Sequence, residues 1–183
     1  MSEQHLWKDF LENLTGRLMV GALEKTPERF CSALDEMTSG QGVSPSSLIV
    51  TFPSQEANEM VVVTDIEFFS VCEHHLLPFF GRATIGYIPS DRILGLSKAP
   101  RIVTAFARRL QTQEFLTTQI ADCLFDHAEF NPKGVGVHLQ AQHLCAMARG
   151  VRQADAVMHT TALRGCFHDA DVKQEFLSYR RHV

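Results

Sequence analysis

The chain lacks any apolar run approaching the roughly 20 residues that a membrane-spanning helix requires, and its longest candidates are broken by charge. Its start, MSEQHLWKDF, lacks the basic segment and following apolar stretch of a secretory signal. Positive charge is also in short supply: 17 Lys and Arg stand against 21 Asp and Glu, a net charge of -4. That balance excludes a general nucleic-acid surface and bulk attraction to anionic membranes, so any anion site has to be local. The five cysteines, at 31, 72, 123, 145 and 166, form no disulfide-like framework. A cytosolic protein whose thiols are free or metal-bound is the expectation.

What remains is the composition of a soluble globular chain, 45% hydrophobic and 21% charged, with length enough for one domain. Leu6, Phe10, Leu14 and Leu18 recur at helical period, and KTPERFCSALDEMTSG predicts a second helix. In that helix Thr26 is the N-cap, Pro27 the first helical residue, and Phe30, Leu34 and Met37 the apolar stripe. The Gly, Ser and Pro of residues 39–47 predict a loop. MVVVTDIEFFSV and GRATIGYIPS predict two strands flanking the stretch VCEHHLLPFFG. Helical period then places Ile102, Phe106 and Leu110 on one face, and Leu116, Ile120 and Leu124 on another, with Thr112 as the cap between two helices. GVGVHLQAQHLC alternates, so Val135, Val137, Leu139, Ala141, His143 and Cys145 are expected to share a strand face. A last strand over roughly 155–167 and a closing helix complete an α+β order.

Chemistry concentrates at residues 72–75 and 143–145. Cys72 and His75, three apart, suit two ligands on a tight turn, and Cys145 offers a third soft donor. Cys with His selects zinc, and three protein ligands leave the open position of a catalytic site. C-x-x-H alone fits equally a free core cysteine beside a surface histidine. The second His-Cys pair, His143 with Cys145, favours the metal reading. His74 and His143 are then left over beside a metal that needs one histidine, and histidine is the usual acid or base at neutral pH.

These residues sit in longer blocks: TPERF, VCEHHLLPFFGRATIGYIP, LGLSKAPRIV, RRLQTQEFLT, QHLCAMARGV, GCF and EFL. In that order the sequence resembles the GTP cyclohydrolase I family. The resemblance implies a single domain over residues 1–183, with N-terminal helices over 1–40, a loop over 41–58, and a core with C-terminal helix over 59–183. It implies the tunnelling fold, a ββααββ antiparallel sheet with helices on one face, joined edge to edge into a multi-subunit barrel. It further implies a cytoplasmic homodecamer of two pentamers with active sites between subunits, GTP as substrate, and no nucleic-acid or membrane partner.

Residue by residue, Cys72, His75 and Cys145 fall on the family's Zn2+ ligands, and His74 and His143 on its catalytic histidines. Gln113 and Glu114 fall on positions that read guanine. Ser97, Lys98, Arg101 and Arg149 fall near ribose and triphosphate, with Arg29 a further candidate. Taken without the resemblance, Glu114 reads as an acid favoured in a helix first turn and Ser97 as an N-cap. The implied reaction releases formate from GTP and yields 7,8-dihydroneopterin triphosphate. A reaction halted at the ring-opened formamide, or a non-catalytic purine or pterin binder, are the alternatives. Phe115, Pro100, His159 and Arg164 depart from the usual family residues, and Glu73 has no assigned role.

Overall fold

The computed structural model describes residues 3–16 and 20–179. They divide into two compact units, Met1–Met37 and Thr38–Val183. In the first, helix α1 (Glu3–Thr15) and helix α2 (Thr26–Met37) pack through Trp7, whose ring lies 5.2 Å from that of Phe30. Leu6, Phe10 and Leu14 form the expected stripe but are exposed, and Leu18 lies outside the described residues. Thr26, expected just before α2, is its first residue, with Pro27 still inside the first turn, where a missing N–H does no harm.

The second unit carries strands β1 (Thr51–Pro53), β2 (Val61–Cys72), β3 (Pro78–Ile88) and β4 (Arg92–Leu94). Helix α3 (Lys98–Ala107), strand β5 (Leu110–Gln111) and helix α4 (Gln113–Phe125) follow. Strand β6 (Gly134–His143), the short helix α5 (Leu144–Met147), strand β7 (Met158–Gly165) and helix α6 (Ala170–Ser178) complete it. β1 pairs with β4, and the main sheet has the order β5-β2-β3-β6-β7. The ββααββ order is therefore β2, β3, α3, α4, β6, β7, antiparallel except for the short parallel pairing of β5 with β2. The loop expected over 41–58 holds a 3-10 turn at Pro45–Leu48 as well as β1.

α3 packs on β2, and α4 on β6 and β7. Their buried Ile102, Phe106, Leu116, Ile120 and Leu124 meet Phe68, Ala83, Ile85, Val135, Val137 and Leu139 from alternate positions of the strands. Thr112 caps α4 as expected, its hydroxyl accepting from the Phe115 N–H at 3.2 Å. Leu110, expected on the α3 stripe, lies beyond the end of that helix in β5. The turn there is stapled by Arg109, which donates to the carbonyls of Gly40, Ala105 and Val43. Cys145 is a second correction: β6 ends at His143 and Cys145 sits in α5. The register sets Phe79 opposite His143, so the next partner would be Pro78, which has no N–H to pair.

On the opposite face, Gly86 and Gly136 pair directly and form a trough for Phe167 and Phe176. A methyl group at Gly136 would stand 2.5 Å from Phe167 Cδ1. Gly136→Ala is expected to lower stability by about 1–3 kcal/mol through overpacking, read as a lower urea midpoint with an unchanged slope.

Candidate active site

β2 and β6 both pair antiparallel with β3, so they run the same way and end on the same side of the sheet. Cys72 closes β2. The chain then folds back: the Cys72 N–H donates to Leu77 O at 2.9 Å and the Leu76 N–H to Cys72 O at 2.8 Å. Leu76 takes φ 53 to make the turn. The Glu73 N–H donates to Gln111 O on neighbouring β5 at 3.1 Å, which pins the turn to the sheet. His75 thereby returns over Cys72, and α5 brings Cys145 to the same place from the end of β6. The donor atoms of Cys72, His75 and Cys145 all lie within 4.8 Å of one another.

This donor set fits a soft divalent cation. Cys72 is buried, and the Cys145 thiol is pushed up by its own burial and then by the adjacent Cys72 thiol. A thiol so opposed becomes a good ligand once a cation offsets its charge. Two sulfurs and one imidazole match a three-ligand zinc set with an open fourth position.

His143, the last residue of β6, lies flat on Phe79, with ring centroids 4.6 Å apart and planes 2° apart. The stack follows from register, since the two are cross-strand partners. His143 Nε2 is 2.8 Å from Oε1 of Gln113, the first residue of α4. Burial holds the imidazole below its usual range, opposed by the Glu114 carboxylate. His74 is exposed, with Nδ1 3.9 Å from Cys72 Sγ and Nε2 3.9 Å from Glu73 Oε1. Glu73 is thus placed beside His74, the one histidine of the turn that is outside the Cys72, His75 and Cys145 group.

A family model described as GTP cyclohydrolase I matches residues 3–181. The chain belongs to the GTP cyclohydrolase I family. The GTP cyclohydrolase 1 of Campylobacter jejuni subsp. doylei is 50% identical over 159 residues, covering 85% of this chain and 82% of that protein. Its counterpart from Campylobacter lari is 46% identical over 174 residues, 93% of this chain and 90% of that one. That of Porphyromonas gingivalis is 45% identical over 157 residues, 85% and 80%. Among solved structures, the archaeosine synthase QueF-Like in its apo form aligns over 58% of this chain and 93% of its own at 18% identity. The TM-score of that alignment is 0.47.

Within this GTP cyclohydrolase I family chain the other expected residues fall in several places. Glu114 is exposed in the first turn of α4, close enough to act on His143 electrostatically. Gln113 is 1% exposed, and its amide nitrogen faces Met158 O, Leu139 O and Thr160 Oγ1. Ser97 holds the N-cap position of α3 but makes no side-chain capping bond. Lys98 and Arg101 follow on the first turn of α3, and Arg149 is exposed just after α5. Arg29 is exposed on α2 in the other compact unit. Phe115 is exposed, Pro100 lies in the first turn of α3, and Arg164 forms an ion pair with Asp122 at 2.6 Å. Phe79 is the residue whose part in the site the sequence did not disclose. Only the pairing of β3 with β6 brings it under His143.

Proposed function

We propose that this protein is a zinc-dependent GTP cyclohydrolase I, which hydrolyses GTP, releases formate and forms 7,8-dihydroneopterin triphosphate. The observation that carries this reading is the convergence of Cys72, His75 and Cys145 beside the end of β6, where His143 is held by Phe79 and Gln113. Cys72, His75 and Cys145 would hold a zinc ion, which would supply the Lewis acidity that makes water nucleophilic near neutral pH.

The protein's own groups do the rest. His143 delivers a proton to N7 of guanine, which makes C8 easier to attack, and His74 moves protons during opening of the imidazole ring and the later steps. Glu114 accepts from N1–H and the exocyclic amine of guanine, an arrangement that adenine cannot satisfy. Ser97, Lys98, Arg101 and Arg149 hold ribose and triphosphate, concentrating positive charge in a protein of net charge -4.

The whole chain serves as one domain in the tunnelling fold, assembled as a cytoplasmic homodecamer that feeds a folate, tetrahydropterin or 7-deazaguanine route. No described helix is long and apolar enough to cross a membrane. Open sheet edges among the described residues support the assembly: there β5 covers only Val71 and Cys72 of β2, and β7 is an edge strand. Edges of this length need a partner or a cover.

Purified protein given GTP is expected to release formate and give a product that fluoresces after oxidation, with zinc at about one per chain. Zinc-loaded protein that releases no formate would defeat the reading. A ring-opened formamide accumulating in its place would show the halted reaction instead.

A further inference from the structure

We propose that Gln113 is a positioning residue for His143: its side-chain oxygen holds the imidazole as the Nε2–H tautomer and leaves Nδ1 as the nitrogen that exchanges protons. That His143 handles protons rests on the function proposed above, whereas its tautomer does not.

Gln113 is buried at the start of α4, with Nε2 3.0 Å from Met158 O, 3.3 Å from Leu139 O and 3.1 Å from Thr160 Oγ1. Main-chain carbonyls only accept, so the amide nitrogen must face them, and the side chain has a single chemically consistent orientation. Oε1 then faces His143 Nε2 at 2.8 Å. An amide oxygen cannot donate, so the hydrogen between them belongs to His143. A neutral imidazole has one donor and one acceptor nitrogen, which makes Nδ1 the acceptor.

The holder is itself held. Thr117 Oγ1 donates to Gln113 O at 2.7 Å and lies 2.6 Å from Thr160 Oγ1, tying α4 to β7 around the amide. Phe79 fixes the plane of the imidazole while Gln113 fixes its rotation within that plane. A proton delivered from Nδ1 can therefore leave and return while the Nε2–H bond to Gln113 persists. Reading a guanine base with the Gln113 side chain would break its bonds to two strands, so base reading and histidine positioning are separable roles.

The full-length zinc-loaded protein labelled with 15N-histidine reads the tautomer from its ring-nitrogen shifts at pH 8, with His143→Ala supplying the assignment by difference. Wild type is expected to show protonated Nε2 and unprotonated Nδ1; a ring protonated at Nδ1 overturns the proposal. Gln113→Met, similar in length but without an acceptor, is expected to lose the single tautomer and to lower kcat for formate release about 10- to 100-fold. KM for GTP and discrimination against inosine triphosphate should stay within about twofold. Relaxed discrimination with kcat kept would make Gln113 a base reader and overturn the proposal. If the methionine variant does not fold, the wild-type spectrum alone decides, whether or not GTP is turned over.

Discussion

Replacing His143 with alanine is expected to stop ring opening of GTP while leaving zinc in place. The side chain is outside the Cys72, His75 and Cys145 cluster, so the ligand set is unchanged. Under the proposed mechanism its removal takes away a proton donor, an effect of about 10² to 10⁴ in rate. It also leaves Gln113 Oε1 in a buried position without its donor, a stability loss of about 1–3 kcal/mol. Formate release, product fluorescence and metal content measured on one preparation separate these effects. Full ring opening by His143→Ala would assign the proton to another group, and lost zinc would show that His143 supports the metal.

Cys145→Ala has the opposite pattern, with metal and activity expected to disappear together. Two donors would remain, Cys72 and His75, both from a single turn. Truncating a ligand should weaken binding beyond the roughly 10- to 100-fold typical of residues that only support ligands. Loss of the metal also removes its stabilisation of the folded state, which grows with metal concentration over the dissociation constant. Zinc titration followed by thermal melts is the direct measurement: wild type should gain stability with added zinc and Cys145→Ala should not. A variant holding one zinc per chain would remove Cys145 from the ligand set.

Much of this site was legible in the sequence because its signals are local. C-x-x-H puts Cys72 and His75 on one turn, and the QHLC stretch supplies His143 and Cys145. Helix and strand periods placed α3, α4 and β6 because burial on one face imposes a period on neighbouring residues, while β-branched and aromatic composition placed β2 and β3. What escaped depends on pairing between distant segments. The alternation of GVGVHLQAQHLC runs unbroken to Cys145, yet the strand stops at His143, because the partner strand has reached Pro78. Phe79 reads as one apolar residue among several until register lays it beneath an imidazole. Gln113 looks like any polar residue opening a helix, and only the carbonyls of β6 and β7 reveal which way its amide points.

The irregularity in β2 reaches further than its own few residues. Val63 pairs with Ile85 but the next regular pair is Ile66 with Ala83, with Asp65 at φ 58 between them. Val61 and Val63 lie at odd-numbered positions and Ile66, Phe68 and Cys72 at even ones, yet all are on the helix-covered side. The bulge is thus a parity change: it lets one strand keep its valines in the core at one end and the Cys72 sulfur on that same side at the other. Removing one residue there would force a choice between the two, turning out either the valines or Cys72.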